Sequence, residues 1–191
     1  MNKKNCFLFL ITYISLLFSG CITYRNFPVN KLGKSKKPAS YSSSGSDLLF
    51  YNIEGHTLFS GEKTLKKIFS KKSPFLKTEK RESIPSKGLF VKVIIEKNPP
   101  HMLSAVFGYA CYASLGFSPF WSKEDGYNLR YIFYRNGERQ KTFEYNIQRN
   151  SFFWVLMLPV AWINLFTYSE GDAFEATTYQ FFEDADYLLH N

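Results

Sequence analysis

The strongest constraint on the fold is a pair of alternating patterns on either side of Asn136-Gly137. Apolar and polar residues alternate with a period of two in both runs, with the apolar positions at Tyr127, Leu129, Tyr131, Phe133, Phe143, Tyr145 and Ile147. This period is typical of strands that bury one face, and Asn-Gly is a favoured dipeptide of tight hairpin turns. The sequence therefore predicts an antiparallel hairpin over residues 127–148.

The register of this hairpin requires an extra residue. A two-residue turn would set Tyr131 opposite Thr142, and the apolar side chains of the two runs would then point to opposite faces. One additional residue sets Tyr131 opposite Phe143 and brings the apolar side chains to one face. We therefore predict a loop of three or five residues around Gly137, or a β-bulge beside it.

Further elements follow from the same kind of pattern. We predict strands at 47–53, 75–82 and 88–96, and a helix at 61–71 with Ser60 as its N-cap. The spacing of Asp172 and Glu175 is that of a capping box and predicts a helix over 173–189. The fold class is α+β, with a mixed or antiparallel sheet of about four or five strands, two helices and two inserted apolar segments.

The two inserted segments are residues 102–121 and 151–169, and neither contains a charged residue. Each could span a membrane, dip into the bilayer surface, or form a buried connection in the core. Spanning would place the hairpin across the membrane from the strand at 88–96, and an isolated hairpin is marginally stable. We expect Trp121, Trp154 and Trp162 to contact a membrane or a partner, because tryptophan favours the membrane interface.

The N-terminus has the pattern of an export signal. Lys3 and Lys4 precede an apolar, uncharged run over residues 6–18, which is shorter than the ~20 residues that span a bilayer. Ser19, Gly20 and Cys21 follow it. We predict a signal peptide over residues 1–20.

The residues Leu17-Phe18-Ser19-Gly20-Cys21 resemble the lipobox of bacterial lipoproteins. Phe18 departs from the smaller aliphatic residue that is usual there, and spirochaete lipoboxes are looser in this respect. The resemblance implies cleavage before Cys21, a diacylglyceryl group on its thiol and a further fatty acid, such as palmitate, on the new N-terminus. The protein would then lie in the cell envelope with the lipid bilayer as its partner. Ile22, where an aspartate often retains lipoproteins at the inner membrane, favours the outer membrane.

Cleavage would leave 171 residues, which suits a single domain. Residues 22–46 are rich in Asn, Lys, Gly, Pro and Ser, so we predict a lipidated cysteine and flexible tether at 21–46 and one α+β domain at 47–191. Cys111 would be the sole unmodified cysteine, which excludes an internal disulfide.

The net charge of +8 becomes +6 without Lys3 and Lys4, and it is unevenly distributed. Thirteen basic and five acidic residues lie between Lys31 and Lys87, whereas six acidic residues and no Lys or Arg follow from Glu170 to the end. We interpret the basic region as a solvated surface. Export makes nucleic acid an improbable partner, and an envelope protein or a second copy remains open.

No arrangement of residues predicts catalysis, a metal or a cofactor. Cys111 lies in an apolar run that suppresses thiolate formation, and nothing in the sequence brings His101 close to it. His56 and His190 lack partners at ligand spacing. The acidic residues Glu183, Asp184 and Asp186 would fan outward from a helix. The sequence thus predicts a non-enzymatic structural or interaction module, or alternatively a membrane-inserting subunit of an envelope secretion or transport assembly.

Overall fold

The structure, a computed structural model, describes residues 20–33, 48–75, 77–154 and 166–190. These ranges contain six strands: β1 (Gly20–Arg25), β2 (Leu48–Glu54), β3 (Lys77–Lys80), β4 (Leu89–Asn98), β5 (Phe120–Arg135) and β6 (Glu138–Phe153). They form one sheet in the order β1-β6-β5-β4-β2-β3. β2 is parallel to β3 and β4, whereas β1 is antiparallel to β6. The sheet is therefore mixed, with six strands where about four or five were predicted.

Four α-helices lie in the described ranges: α1 (Gly61–Lys67), α2 (Met102–Ala113), α3 (Glu170–Asp184) and α4 (Asp186–His190). A π-helical turn, Ile68–Lys72, continues α1, and a 3-10 turn is formed by Val29–Lys31. The α+β class is confirmed, but the prediction of two helices is too low. α2 forms inside the first apolar segment, and the predicted C-terminal helix divides into α3 and α4.

The chain divides into two compact units, and the strands β5 and β6 contribute residues to both. Among the described residues, the first unit contains 20–25, 98–126, 148–154 and 166–169. The second unit contains the described residues of 26–97, 127–147 and 170–190.

In the first unit, β1 differs from the flexible tether predicted for the residues after Cys21. β1 pairs with β6 in a continuous antiparallel register that includes Cys21 opposite Phe152. Ile22, Thr23 and Tyr24 are residue types that favour strands, and Tyr24 is buried. The composition of the longer 22–46 range concealed this short strand. Residues 34–47 of that range, and residues 1–19 of the predicted signal peptide, lie outside the described residues.

The second unit contains the hairpin turn and the core beneath it. Asn136 and Gly137 form a two-residue turn with φ angles of 52° and 84°, so the predicted loop of three or five residues is wrong. The rings of Tyr131 and Phe143 nevertheless both pack on Phe181 of α3, at centroid distances of 4.4 and 5.5 Å. A two-residue turn alone would put these rings on opposite faces. The contacts therefore favour the predicted bulge, in which one strand accommodates an extra residue between the turn and the rings.

A buried carboxylate joins α1 to α3 in the second unit. Glu170 Oε1 accepts hydrogen bonds from the backbone amides of Phe59 at 3.2 Å and Gly61 at 2.7 Å, and Oε2 accepts one from the Tyr127 hydroxyl at 3.0 Å. Helix N-termini favour such acceptors because their first amides lack partners within the helix. Ser60 occupies the N-cap position of α1, but its side chain makes no capping hydrogen bond. Glu170 therefore caps the first amide of α1 and the Thr57 hydroxyl caps the second, in place of Ser60.

The involvement of Glu170 also explains why the C-terminal helix begins earlier than predicted. α3 starts at Glu170 rather than at residue 173, so Asp172 is in its first turn and is not its N-cap. Phe174 follows one turn later, is fully buried and packs edge-to-face on Tyr127 at 5.3 Å. The start of α3 is thus fixed by contacts with distant residues.

We expect Gly61→Ala to destabilise the second unit by about 1–3 kcal/mol, the usual effect of overpacking a core. A Cβ atom at Gly61 would lie 2.9 Å from the Phe174 ring and 3.0 Å from Glu170 Oε1. Urea unfolding followed by far-ultraviolet circular dichroism measures this change. Lys63→Ala, on the exposed side of α1, is the control and should change stability by less than about 0.5 kcal/mol. Equal effects of both substitutions would contradict the close packing of α1 on α3.

Candidate functional site

Exposed apolar side chains are concentrated in the first unit. Fifteen large apolar residues are exposed among the described residues, and ten of them belong to this unit. Those ten are Met102, Leu103, Val106, Tyr109, Tyr112, Leu115, Phe117, Trp121, Phe166 and Tyr168. Single exposed apolar residues are ordinary, but a concentration of this kind marks an interaction surface.

α2 provides the largest part of this surface. Its residues Met102–Ala113 include several strong helix formers, and the His101 side chain at its N-cap accepts a hydrogen bond from the Leu103 amide. Ser104 and Cys111 are its only buried residues. Tyr109 and Tyr112 are 78% and 84% exposed, which is unusual for aromatic side chains on a helix without a charged residue.

The inner side of α2 packs on the start of β5. The rings of Phe107 and Trp121 lie 4.4 Å apart, and a Cβ atom added to Gly108 would lie 3.3 Å from the Phe120 ring. After α2 the chain turns sharply, because Leu115 has a φ of 52° and the Gly116 amide returns to the Cys111 carbonyl at 2.8 Å. This turn leaves Phe117 71% exposed. The helix is thus held in place from one side, and no described residue covers its apolar face.

The predicted contact residues fall in this same unit. Trp121 is 41% exposed on β5, and Trp154 follows β6, where its Nε1–H donates to the Phe117 carbonyl at 3.1 Å. Trp162 lies outside the described residues. Cys21, the predicted lipid attachment residue, lies in β1.

Sequence reasoning did not single out the residues of α2 that form half of the surface. The signal was available in their helical spacing, since Met102, Val106, Tyr109 and Ala113 are three or four residues apart and would share one face. That spacing is equally typical of a helix packed in a core. Only the structure shows that this face is uncovered among the described residues.

The first unit also buries an ion pair that the sequence did not reveal. Arg149 Nε donates to Asp125 Oδ1 at 3.1 Å, and its Nη2 donates to Oδ2. Both residues are buried, at 9% and 3% exposure. The bidentate contact offsets the cost of removing both charges from water. Ser122, on the same strand as Asp125, is buried with its hydroxyl lacking a hydrogen-bond partner among the described residues.

The residues considered for chemistry do not form a reactive arrangement. Burial raises the pKa of the Cys111 thiol, which reduces the nucleophilic thiolate. His56 is exposed and lies 3.3 Å from a Glu62 carboxylate oxygen. Asp184 accepts a hydrogen bond from the Tyr145 hydroxyl at 2.7 Å, and Glu183 pairs with Lys31. Within the described ranges no three His, Cys, Asp or Glu residues are grouped so that they could hold a metal ion.

No helix in the part of the chain that the structure describes is long and apolar enough to cross a membrane. No known protein family matches the chain. No curated protein shows significant sequence similarity to it.

We expect Asp125→Asn to destabilise the first unit by roughly 3 kcal/mol, because Arg149 would keep a buried charge without its counterion. Trp121 and Trp154 belong to this unit and the second unit contains no tryptophan, so urea unfolding followed by tryptophan fluorescence reports on the first unit. The control is Lys123→Gln, which removes an exposed charge on the same strand of the first unit and should change stability by less than about 0.5 kcal/mol. A cost for Asp125→Asn no greater than the control would show that the pair is not buried.

Cys111 should react slowly with a thiol reagent in a folded Cys21→Ser protein that is produced without residues 1–20, in which it is the sole cysteine. Burial restricts access and the raised pKa lowers the thiolate fraction. At pH 8 we expect the folded protein to react at least about tenfold more slowly than the urea-unfolded protein. Equal rates in the two states would identify Cys111 as an accessible, reactive thiol.

Proposed function

We propose that this protein is a lipid-anchored component of a bacterial cell envelope that acts as a non-enzymatic structural or interaction module. The anchor is an acylated Cys21. One observation carries the proposal: the unit that contains Cys21 also holds ten of the fifteen exposed large apolar residues among those described. A lipid-anchored protein meets its bilayer or its partner through a surface of this kind.

The chemistry of the described residues supports a non-enzymatic role. The most deeply buried charged groups among the described residues form hydrogen bonds with one another or with the backbone, as in the Asp125–Arg149 pair and the contacts of Glu170. Catalytic groups are instead usually poised in clefts with strongly shifted pKa values. The one thiol that could serve as a nucleophile, Cys111, has its pKa shifted in the unreactive direction.

Ile22 supports an outer-membrane location. A resemblance to lipoproteins implies that residue 22 influences sorting, and an aspartate there often retains such proteins at the inner membrane. Ile22 lies in β1, where its carbonyl accepts a hydrogen bond from the Thr167 hydroxyl at 2.9 Å. The location therefore rests on the sorting rule that the resemblance supplies.

A second candidate function is a membrane-inserting subunit of an envelope secretion or transport assembly. The open apolar face of α2 favours it, because such a face can also pack against neighbouring subunits. A helix of 12 residues rises only ~18 Å, which is less than a hydrocarbon core of ~30 Å. Stable oligomers on native gels in detergent would favour this candidate over an isolated anchored module.

Mass spectrometry of the mature protein, purified from membranes with detergent, tests the anchor. We expect the N-terminal peptide to begin at Cys21 and to carry a diacylglyceryl group and an amide-linked fatty acid. Cys21→Ser should abolish both the cleavage and the lipid, and Cys111→Ser, the matched control, should alter neither. An N-terminus at another residue, or an unmodified Cys21, would contradict the proposed function.

A further inference from the structure

The lipid anchor would be joined directly to folded structure. Cys21 lies opposite Phe152 and Ile22 opposite Ser151 in the β1–β6 register, so no spacer separates the acylated residue from the sheet. A strand advances only about 3.3 Å per residue. Acyl chains on Cys21 would therefore hold the residues of β1 and their neighbours in the first unit close to the bilayer surface, at about 3.3 Å for each strand residue that separates them from Cys21.

A short series of contacts connects the position of Cys21 with the end of α2. Cys21 pairs with Phe152 of β6, and two residues further along the chain Trp154 donates its indole N–H to the Phe117 carbonyl. The Ser118 amide then donates to the hydroxyl of Ser114, the C-cap of α2, at 2.8 Å. The anchor and the apolar helix thus belong to one hydrogen-bonded region of the first unit.

The exposed charges of this unit suit an anionic membrane surface. Among its described side chains, the charged ones that are exposed are Arg25 and Lys123. The acidic Asp125 is buried against Arg149. Basic side chains near a bilayer are attracted to anionic headgroups. Tyrosine and tryptophan, here Tyr109, Tyr112 and Trp121, prefer the interface between headgroups and acyl chains.

We propose that the exposed face of α2, together with Leu115 and Phe117, docks in the plane of an anionic lipid bilayer and serves as a second attachment beside the acylated cysteine. The proposal deepens the proposed function and rests on the acylation of Cys21. A helix of 12 residues is too short to cross the hydrocarbon core, and the inner side of α2 packs on β5 through Phe107 and Trp121, so its outer apolar residues would lie in the interface. Docking would fix the orientation of the first unit on the membrane, which a flexible tether could not do.

The first experiment uses the Cys21→Ser protein produced without residues 1–20, so that neither lipid nor the apolar run over 6–18 is present. Its binding to vesicles of phosphatidylglycerol and phosphatidylethanolamine is measured by sedimentation. We expect reversible binding that strengthens with the fraction of phosphatidylglycerol. The double substitution Leu103→Glu with Val106→Glu should lower the partition coefficient by roughly tenfold or more, since charge is costly at an apolar membrane contact. Glutamate is a good helix former, so α2 should persist, which circular dichroism checks.

The matched control is Val29→Glu with Ile84→Glu, which adds the same charge at exposed aliphatic residues of the second unit. We expect the control pair to alter partition much less than the α2 pair. Equal losses from the two pairs, or an absence of vesicle binding by the Cys21→Ser protein, would overturn the proposal. Loss of an oligomer with unchanged vesicle binding would show that the α2 face contacts a second copy and would also overturn it.

A second experiment uses the lipidated protein in the same vesicles, with a nitroxide label at Val106→Cys or at Val29→Cys, in each case with Cys111→Ala. We expect the label on α2 to collide more with lipid-soluble oxygen and less with a water-soluble nickel chelate than the label at residue 29. Equal accessibility of the two labels to the chelate would overturn docking. The proposed function would still stand in that case, because it rests on the lipid found on Cys21. If mass spectrometry finds no lipid on Cys21, the proposed function fails, and the sedimentation experiment alone decides whether α2 docks.

Discussion

The alternation of side chains along the β5–β6 hairpin is the constraint on which the described fold depends. Both strands are 16 residues long, and each contributes to both compact units. Because successive side chains point to opposite faces, one additional residue near the turn decides whether Tyr131 and Phe143 share a face. They do share it, and both pack on Phe181 of α3. The core of the second unit therefore depends on a hairpin register that brings these two side chains to one face.

The strands and the C-terminal helix were predictable because their signals are local. Period-two alternation over 127–148 predicted the hairpin, and helical spacing after residue 173 predicted most of α3. The start of α3 and the cap of α1 were not predictable, because they depend on the hydrogen bond between Glu170 and the Gly61 amide, 109 residues away in the chain. No local pattern encodes a contact of that separation. The short strand β1 was missed because four strand-forming residues were averaged with a long polar segment.

The candidate surface was predictable in part for the same reason. An uncharged stretch over 102–121 indicated contact with a membrane, a partner or a core, and Trp121 and Trp154 were identified within or beside the surface. The residues of α2 were not identified, because a helix with apolar residues at this spacing is more often buried. Whether such a helix is covered depends on the tertiary packing of the rest of the unit. The buried pair of Asp125 and Arg149 is likewise a consequence of the β5–β6 pairing and has no signature in either strand alone.

The first unit buries an acidic side chain and exposes apolar ones, which is the reverse of what a surface in contact with water favours. Its acidic Asp125 is buried and neutralised by Arg149, while α2 exposes tyrosines and aliphatic residues. Exposing these side chains to water is unfavourable, at about 25 cal/mol for each Å² of apolar surface. A bilayer held close by the acylated Cys21 would remove that cost. The lipid anchor and the open apolar helix are therefore two parts of one proposed attachment.

The central claim is that Cys21 begins a folded strand and does not begin a flexible tether. Amide hydrogen exchange of the Cys21→Ser protein produced without residues 1–20, measured by nuclear magnetic resonance, tests it most directly. The Tyr24 amide points towards Tyr168, so alternation directs the Thr23 amide towards Asn150 of β6. The account predicts that the Thr23 amide exchanges far more slowly than in the urea-unfolded protein. Exchange of the Thr23 amide at the rate of the unfolded chain would contradict the account. Residues 22–25 would then belong to the flexible tether that the composition of 22–46 predicts.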